Sequence, residues 1–262
     1  MKLLDLLAAL IIMFVSIRYI FYLCILVARI RRRYICSPIS PIIITVEGNI
    51  GVGKTTFLDN IKLCDQINKT STVVSEPVDI WLNINDDDGE NILGKFYKDK
   101  RRWSYTFQNF SYITKMTTLV DAIRNSGKEI IFLDRSIGTD KYVFAKMLRD
   151  DRMLGSLEFT MYNLWSNFYD KYIAKNNKKN IIYLRCDPIV AFDRIQIRGR
   201  KEEKDIPMDY LNSLHKYHER WIEKEIKFKK SNVLILDWNE NMNEEQIKEQ
   251  IKEHVCRFVN NC

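Results

Sequence analysis

A chain of 262 residues, 46% apolar and 29% charged, has the material for one α/β domain plus an appendage. Its net charge of +7 would point to nucleic acid, but about +5 of it lies in residues 1–40, which leaves the other 222 nearly balanced and excludes a general nucleic-acid-binding face. Six cysteines, at 24, 36, 64, 186, 256 and 262, form no Cys-x-x-Cys pair and no zinc-like spacing, which argues for a reducing compartment.

In chain order, Leu3 to Ile30 comes first, an almost unbroken apolar run. Residues 6–28 are long enough for about 30 Å of hydrocarbon. Arg18 in their middle costs roughly 2.5–3.5 kcal/mol, whereas the fourteen Leu, Ile, Phe and Val residues supply about 6 kcal/mol together. With Arg29 and Arg31 to Arg33 behind it, the segment 1–36 is expected to be a transmembrane anchor with a basic flank, holding the domain in the cytosol. A mitochondrial import segment, a cleaved signal peptide and a non-native extension are the other readings. Residues 37–41, with Pro38 and Pro41, form a linker.

Five short β-rich runs follow, at 41–47, 72–75, 129–134, 180–186 and 232–237, with helix-compatible stretches between them. Residues 85–89 and 176–180 are polar loops. From Asn243 the tail reads as a helix, with Ile247, Ile251, Val255 and Phe258 on one face.

Between the first strand and a helix over 55–62 stands Gly48-Asn49-Ile50-Gly51-Val52-Gly53-Lys54-Thr55-Thr56. Glycines at this spacing let backbone N–H groups turn inward around phosphate oxygens, and the helix start adds a partial positive charge. Lys54 can reach the terminal phosphates and Thr55 can offer its hydroxyl to Mg²⁺. The pattern predicts nucleoside triphosphate binding. It also predicts the fold: an α/β, P-loop NTPase-type five-stranded parallel sheet with helices on both faces, preceded by an N-terminal hydrophobic helix.

Each presumed strand ends in polar residues, where ligands bind in a parallel sheet. Ser75-Glu76-Pro77 and Trp81 close the second, and Asp134-Arg135-Ser136 the third. Arg102-Trp103-Ser104-Tyr105-Thr106-Phe107-Gln108 lies between them, and Arg194, Arg198, Arg200, Glu202 and Glu203 follow the fourth. With these motifs in this order, residues 41–238 resemble the deoxynucleoside kinase family, which includes deoxycytidine, deoxyguanosine and mitochondrial-type thymidine kinases. The resemblance makes 41–262 a kinase domain that transfers the ATP γ-phosphoryl group to a deoxynucleoside 5′-hydroxyl in nucleotide salvage. It implies a homodimer as well.

By that resemblance, Glu76 is the general base, and Arg135 holds it in register with the 5′-oxygen. Asp134 acts on Mg²⁺ beside Thr55; most relatives carry Glu there, so the shorter side chain would work through water. Arg194, Arg198 and Arg200 form a lid over ATP, spreading positive charge over the transferring group together with Lys54. Gln108 pairs with the base edge, Phe107 and Phe144 stack on its faces, and Trp81 and Ile50 are further walls. Tyr97 and Glu203 bind the 3′-hydroxyl. Ser111 occupies a small-residue position. Lys115 and Asp140 stand where thymidine-preferring relatives have an apolar pair and the others have Arg and Asp. This favours deoxycytidine or a purine deoxynucleoside over thymidine, although Lys115 lacks the planar fork of arginine. Two alternatives share the fold: a thymidylate-type nucleoside monophosphate kinase, whose acceptor needs a cation where Glu76 stands, and a non-catalytic membrane-associated structural subunit.

Overall fold

The computed structural model describes residues 41–172 and 179–262. Its frame is a five-stranded sheet in the order β2-β3-β1-β4-β5, parallel throughout. The strands are β1 (Ile42–Glu47), β2 (Ser71–Val74), β3 (Ile130–Asp134), β4 (Lys179–Arg185) and β5 (Ser231–Asp237). Their continuous apolar character follows from burial on both faces, which a sheet covered by helical crossovers requires. Each lies within a residue or so of its sequence-predicted span. The exception that changes a loop is at 176–180: Lys179 and Asn180 belong to β4, where Asn180 Oδ1 accepts 2.8 Å from Asn232 Nδ2. A polar side chain there reads as loop until a cross-strand partner is known.

Helices on the two faces are α1 (Lys54–Lys62), α2 (Val78–Asn83), α3 (Ile92–Lys98), α4 (Lys100–Asn125), α5 (Ser156–Tyr172), α6 (Pro188–Arg198), α7 (Met208–Lys227) and α8 (Glu244–Gln250). One face packs Phe57, Leu58 and Ile61 of α1 against Ile44, Val46, Ile182 and Leu184, and the C-terminal residues Ile247, Ile251 and Val255 close the same core. The other face seats Leu211, Leu214 and Ile222 of α7 on Ile181 and Tyr183. A third apolar cluster, including Trp81, Phe96 and Phe107, walls a cavity beyond the carboxyl ends of β2 and β3. Asn243 caps α8 in a reciprocal box with Gln246, as its position before an amphipathic tail leads one to expect.

The predicted N-terminal hydrophobic helix falls on residues 1–36, which lie outside the described residues. Among the described residues no helix is long and apolar enough to cross a membrane. The expected membrane-anchored location is therefore corrected: it rested on a hydropathy sum over that segment alone, and nothing in the described fold supports it.

Candidate active site

The Gly-rich turn between β1 and α1 packs so tightly on the neighbouring helix that one position admits only glycine. Gly51 has φ +80°, and a Cβ there would overlap the Ala191 carbonyl of α6. The buried Lys54 ammonium donates to the carbonyls of Gly48 (3.1 Å) and Asn49 (2.8 Å). Burial, reinforced by the Arg135 charge, pulls its pKa down to about 7. Asn49 is fixed in turn, accepting from Ile50 N (2.9 Å) and donating to the Leu211 carbonyl (3.0 Å). Gly51, Gly53, Lys54, Thr55 and Thr56 line a cavity of about 480 Å³, whose far wall is Trp238, Asn241 and Met242 after β5.

At the head of α1 the Thr55 hydroxyl faces Asp134 Oδ2 at 3.4 Å. Oδ1 of the same carboxylate is buried with no hydrogen-bond partner. Burial raises the Asp134 pKa, with the Lys54 charge opposing. A hydroxyl and an under-satisfied carboxylate are hard oxygen donors, the set that Mg²⁺ takes alongside phosphate oxygens.

The next residue, Arg135, sits at φ +57°, a left-handed conformation that costs a non-glycine residue about 1–3 kcal/mol. It is held there: its N–H donates to the Val46 carbonyl (3.1 Å), and its guanidinium donates to Glu76 Oε2 (2.7 Å) and lies over the Phe144 ring. Glu76 ends the run after β2, with Lys115 Nζ of α4 3.0 Å from its Oε1. Burial would raise its pKa, but Arg135, then Lys115 and Lys54, outweigh burial and hold it at about 2. Lys115 also donates to Asp140 Oδ1 at 2.7 Å, and Ser111 reaches Oδ2 at 3.4 Å. Asp140 opens a π-helical stretch, Asp140–Ala145, a wide turn that often marks functional sites. Three buried cations, Lys54, Lys115 and Arg135, thus face three carboxylates, Glu76, Asp134 and Asp140.

These charges form the floor of a second cavity of about 310 Å³, walled by Ile50, Trp81, Tyr97, Phe107, Gln108 and Phe144. Gln108 Oε1 is buried without a partner, an acceptor left for whatever fills the space. Phe107 already stacks on Phe96 (centroids 4.7 Å apart, planes 23°) and meets Trp81 edge-on, so a single face of its ring remains. The indole N–H of Trp81 donates to Thr114 (3.0 Å), fixing that wall. Lys54, Thr55, Arg198 and Arg200 line both cavities, which therefore meet at the Gly-rich turn.

The family model described as deoxynucleoside kinase matches residues 44–260. The probable deoxycytidine kinase of fowlpox virus is 37% identical over 68% of this chain and 71% of its own. Mouse deoxycytidine kinase is 32% identical over 77% and 85%, and the Xenopus laevis protein named deoxyguanosine kinase, mitochondrial, 34% over 76% and 82%. The chain belongs to the deoxynucleoside kinase family. It is an enzyme of the ATP-dependent phosphotransferase type.

Two features of this kinase differ from the sequence expectation. Arg194 donates to the carbonyls of Val52 (3.1 Å), Trp238 (2.9 Å) and Glu240 (2.8 Å). It brackets the Gly-rich turn to the segment after β5 and lines the ATP-side cavity from there, rather than reaching over it as a lid. Arg198 and Arg200 pair with the two oxygens of buried Glu203, Arg200 at 2.6 Å, so the expected lid and the expected 3′-hydroxyl ligand form one cluster.

Sequence reasoning gave no role to Glu47. Wholly buried at the end of β1, it accepts from Ser136 N (3.1 Å) and from the Thr139 hydroxyl. It thereby ties the start of the Gly-rich turn to the loop that carries Asp134 and Arg135. An acidic residue ending an otherwise apolar strand was the available signal.

Proposed function

We propose that this kinase transfers the γ-phosphoryl group of ATP to the 5′-hydroxyl of a deoxynucleoside, a salvage step in which deoxycytidine or a purine deoxynucleoside is preferred to thymidine. The observation that carries it is the meeting of two cavities: a polyphosphate cradle around Lys54 opens onto an aromatic-walled pocket whose floor holds the ionised carboxylate of Glu76.

In this reading the acceptor base lies between Phe144 and the free face of Phe107, with Gln108 pairing to its edge. Tyr97 and Glu203 take the 3′-hydroxyl. Glu76 accepts the proton of the 5′-hydroxyl as the 5′-oxygen bonds to the γ-phosphorus and the bond from that phosphorus to the ADP oxygen breaks. Arg135 keeps the carboxylate aimed. Lys54, with Arg198 and Arg200 once they leave Glu203 for the phosphates, stabilises charge on the transferring oxygens. Thr55 and Asp134 would hold Mg²⁺, which neutralises phosphate charge when bound.

Asp140 supports the base preference. Its carboxylate accepts from an exocyclic amino group, whereas thymine offers a methyl group and a carbonyl in that region. A kcat/KM panel over the four deoxynucleosides with ATP tests this, and we expect deoxycytidine or a purine deoxynucleoside to lead. Thymidine in first place would overturn the preference, and no turnover of any of the four would overturn the reading.

The same reading includes a homodimer. Leu157, Met161, Leu164 and Trp165 share one face of α5 and stand exposed, with Ile113 of α4 exposed beside them. Tyr112 fastens the two helices by donating to the Trp165 carbonyl (2.7 Å). Sedimentation is expected to give a dimer for the wild type and a monomer for Trp165→Glu, and a wild-type monomer would refute the pairing.

A further inference from the structure

Among the described residues, Lys115 is the one cation that bridges two carboxylates of the acceptor pocket with different tasks. Its Nζ lies 2.7 Å from Asp140 Oδ1 and 3.0 Å from Glu76 Oε1, and the side chain is all but fully buried. An ammonium has three donors, so these two contacts leave one, and the Trp81 ring lies 5.7 Å away. Glu76 therefore has a cation on each oxygen, Arg135 on Oε2 and Lys115 on Oε1.

We propose that Lys115 is a positioning residue for Glu76: the ammonium that answers the base-facing carboxylate also aims the proton-accepting one, so that base recognition and deprotonation share a single cation. The proposal rests on the kinase reading above. An arginine spreads its charge over a rigid fork, whereas lysine concentrates it at one atom. That compact charge is what reaches both carboxylates, which approach it from separate elements. A base that donates to Asp140 and accepts from the third Lys115 donor tightens the same atom that orients Glu76. A poorly matched base draws it away, so discrimination extends to kcat as well as KM.

Lys115 stands second to Arg135 among the charges that keep Glu76 ionised. Arg135 and Asp134 face it from the end of β3, Lys54 from the Gly-rich turn, Tyr97 from α3 and Asp140 from the π-helical turn. Asp79 of α2 and the Arg198, Arg200 and Glu203 cluster line the same cavity. Among the described residues, only Lys115 and Arg135 form ion pairs with Glu76. Burial works against the carboxylate, and with Lys115 gone Arg135 opposes it with Lys54 alone behind it.

The test is the pH dependence of kcat/KM for deoxycytidine at saturating ATP, in the wild type, Lys115→Met and Lys115→Arg. For Lys115→Met we expect the acid limb to climb by about two units, so that activity at pH 4 relative to pH 7.5 falls about twofold where the wild type keeps nearly all of its own, with kcat reduced as well as KM raised. Lys115→Arg, which keeps the charge, should leave the limb in place. Because a lone Asp140 carboxylate could unfold the first variant, Lys115→Met combined with Asp140→Asn removes both charges and should show the same climb. An unmoved limb in both Met variants, with only KM changed, would reduce Lys115 to a base contact and overturn the proposal. A wild type that phosphorylates no deoxynucleoside would refute the kinase reading instead.

Discussion

Glu76→Gln is expected to phosphorylate its acceptor about 10²–10⁴-fold more slowly than the wild type while still binding ATP. The substitution keeps the shape of the side chain and removes its ability to take a proton. In the native protein burial would raise the Glu76 pKa, but Arg135, Lys115 and Lys54 together hold it at about 2, so the group is fully ionised at neutral pH. A carboxylate this acidic is a weak base in the ground state. That suits a loose transition state, in which the attacking hydroxyl surrenders its proton late and the catalytic gain lies mainly in position and charge. The amide also places N–H donors against Lys115 or Arg135, each previously paired at 3.0 and 2.7 Å, so a drop in melting temperature should accompany the kinetic loss. Equilibrium ATP binding separates the two effects, because the cavity lined by Gly53, Thr56 and Trp238 does not include residue 76. A Glu76→Gln protein turning over within a factor of a few of wild type would remove Glu76 from the chemistry.

What could be read from the chain alone follows the distance over which each signal acts. The Gly-rich turn is written in nine consecutive residues, and its strand-before, helix-after context is equally local, so both were legible. The same holds for the five strands, whose β-branched runs are continuous because both faces are buried. Glu76 and Asp134-Arg135 line one cavity because each stands at the end of a strand, and strand ends converge in a parallel sheet whatever the intervening length. The bridge from Lys115 to Glu76 was not legible: α4 lies one crossover away, and no periodicity tells which of its buried positions meets the end of β2. The carbonyl partners of Arg194 were hidden for a related reason. An arginine run after a strand resembles a phosphate-facing lid, but the backbone carbonyls of residues 238 and 240 arrive from the far end of the chain and bind one member of it. The left-handed Arg135 was equally hidden, since that backbone form in a non-glycine residue is imposed by tertiary contacts such as the Val46 carbonyl.

Lys54→Met should lower kcat/KM for ATP by about 10²–10³-fold, the loss seen when one preorganised donor to a developing charge is removed. The Lys54 ammonium is buried, satisfied by two neutral carbonyls, and crowded by the like charge of Arg135, and burial ahead of that repulsion brings its pKa to about 7. Neutral acceptors answer a buried cation poorly, so the side chain is poised for an anionic partner. Phosphate oxygens entering the turn would exchange a dipole for a full charge, and that charge grows on the transferring group as its bond to ADP lengthens. Binding and turnover should therefore both suffer, with kcat falling further than KM rises. Methionine preserves the stem and the packing, while the Gly48 and Asn49 carbonyls lose a donor, so stability should fall modestly at most. Lys54→Arg separates charge from shape: the guanidinium restores the charge but not the fit of a compact ammonium beneath Gly48, and partial recovery is expected. Should Lys54→Met retain wild-type kcat and KM for ATP, the cavity around this turn would not be where the phosphoryl donor binds.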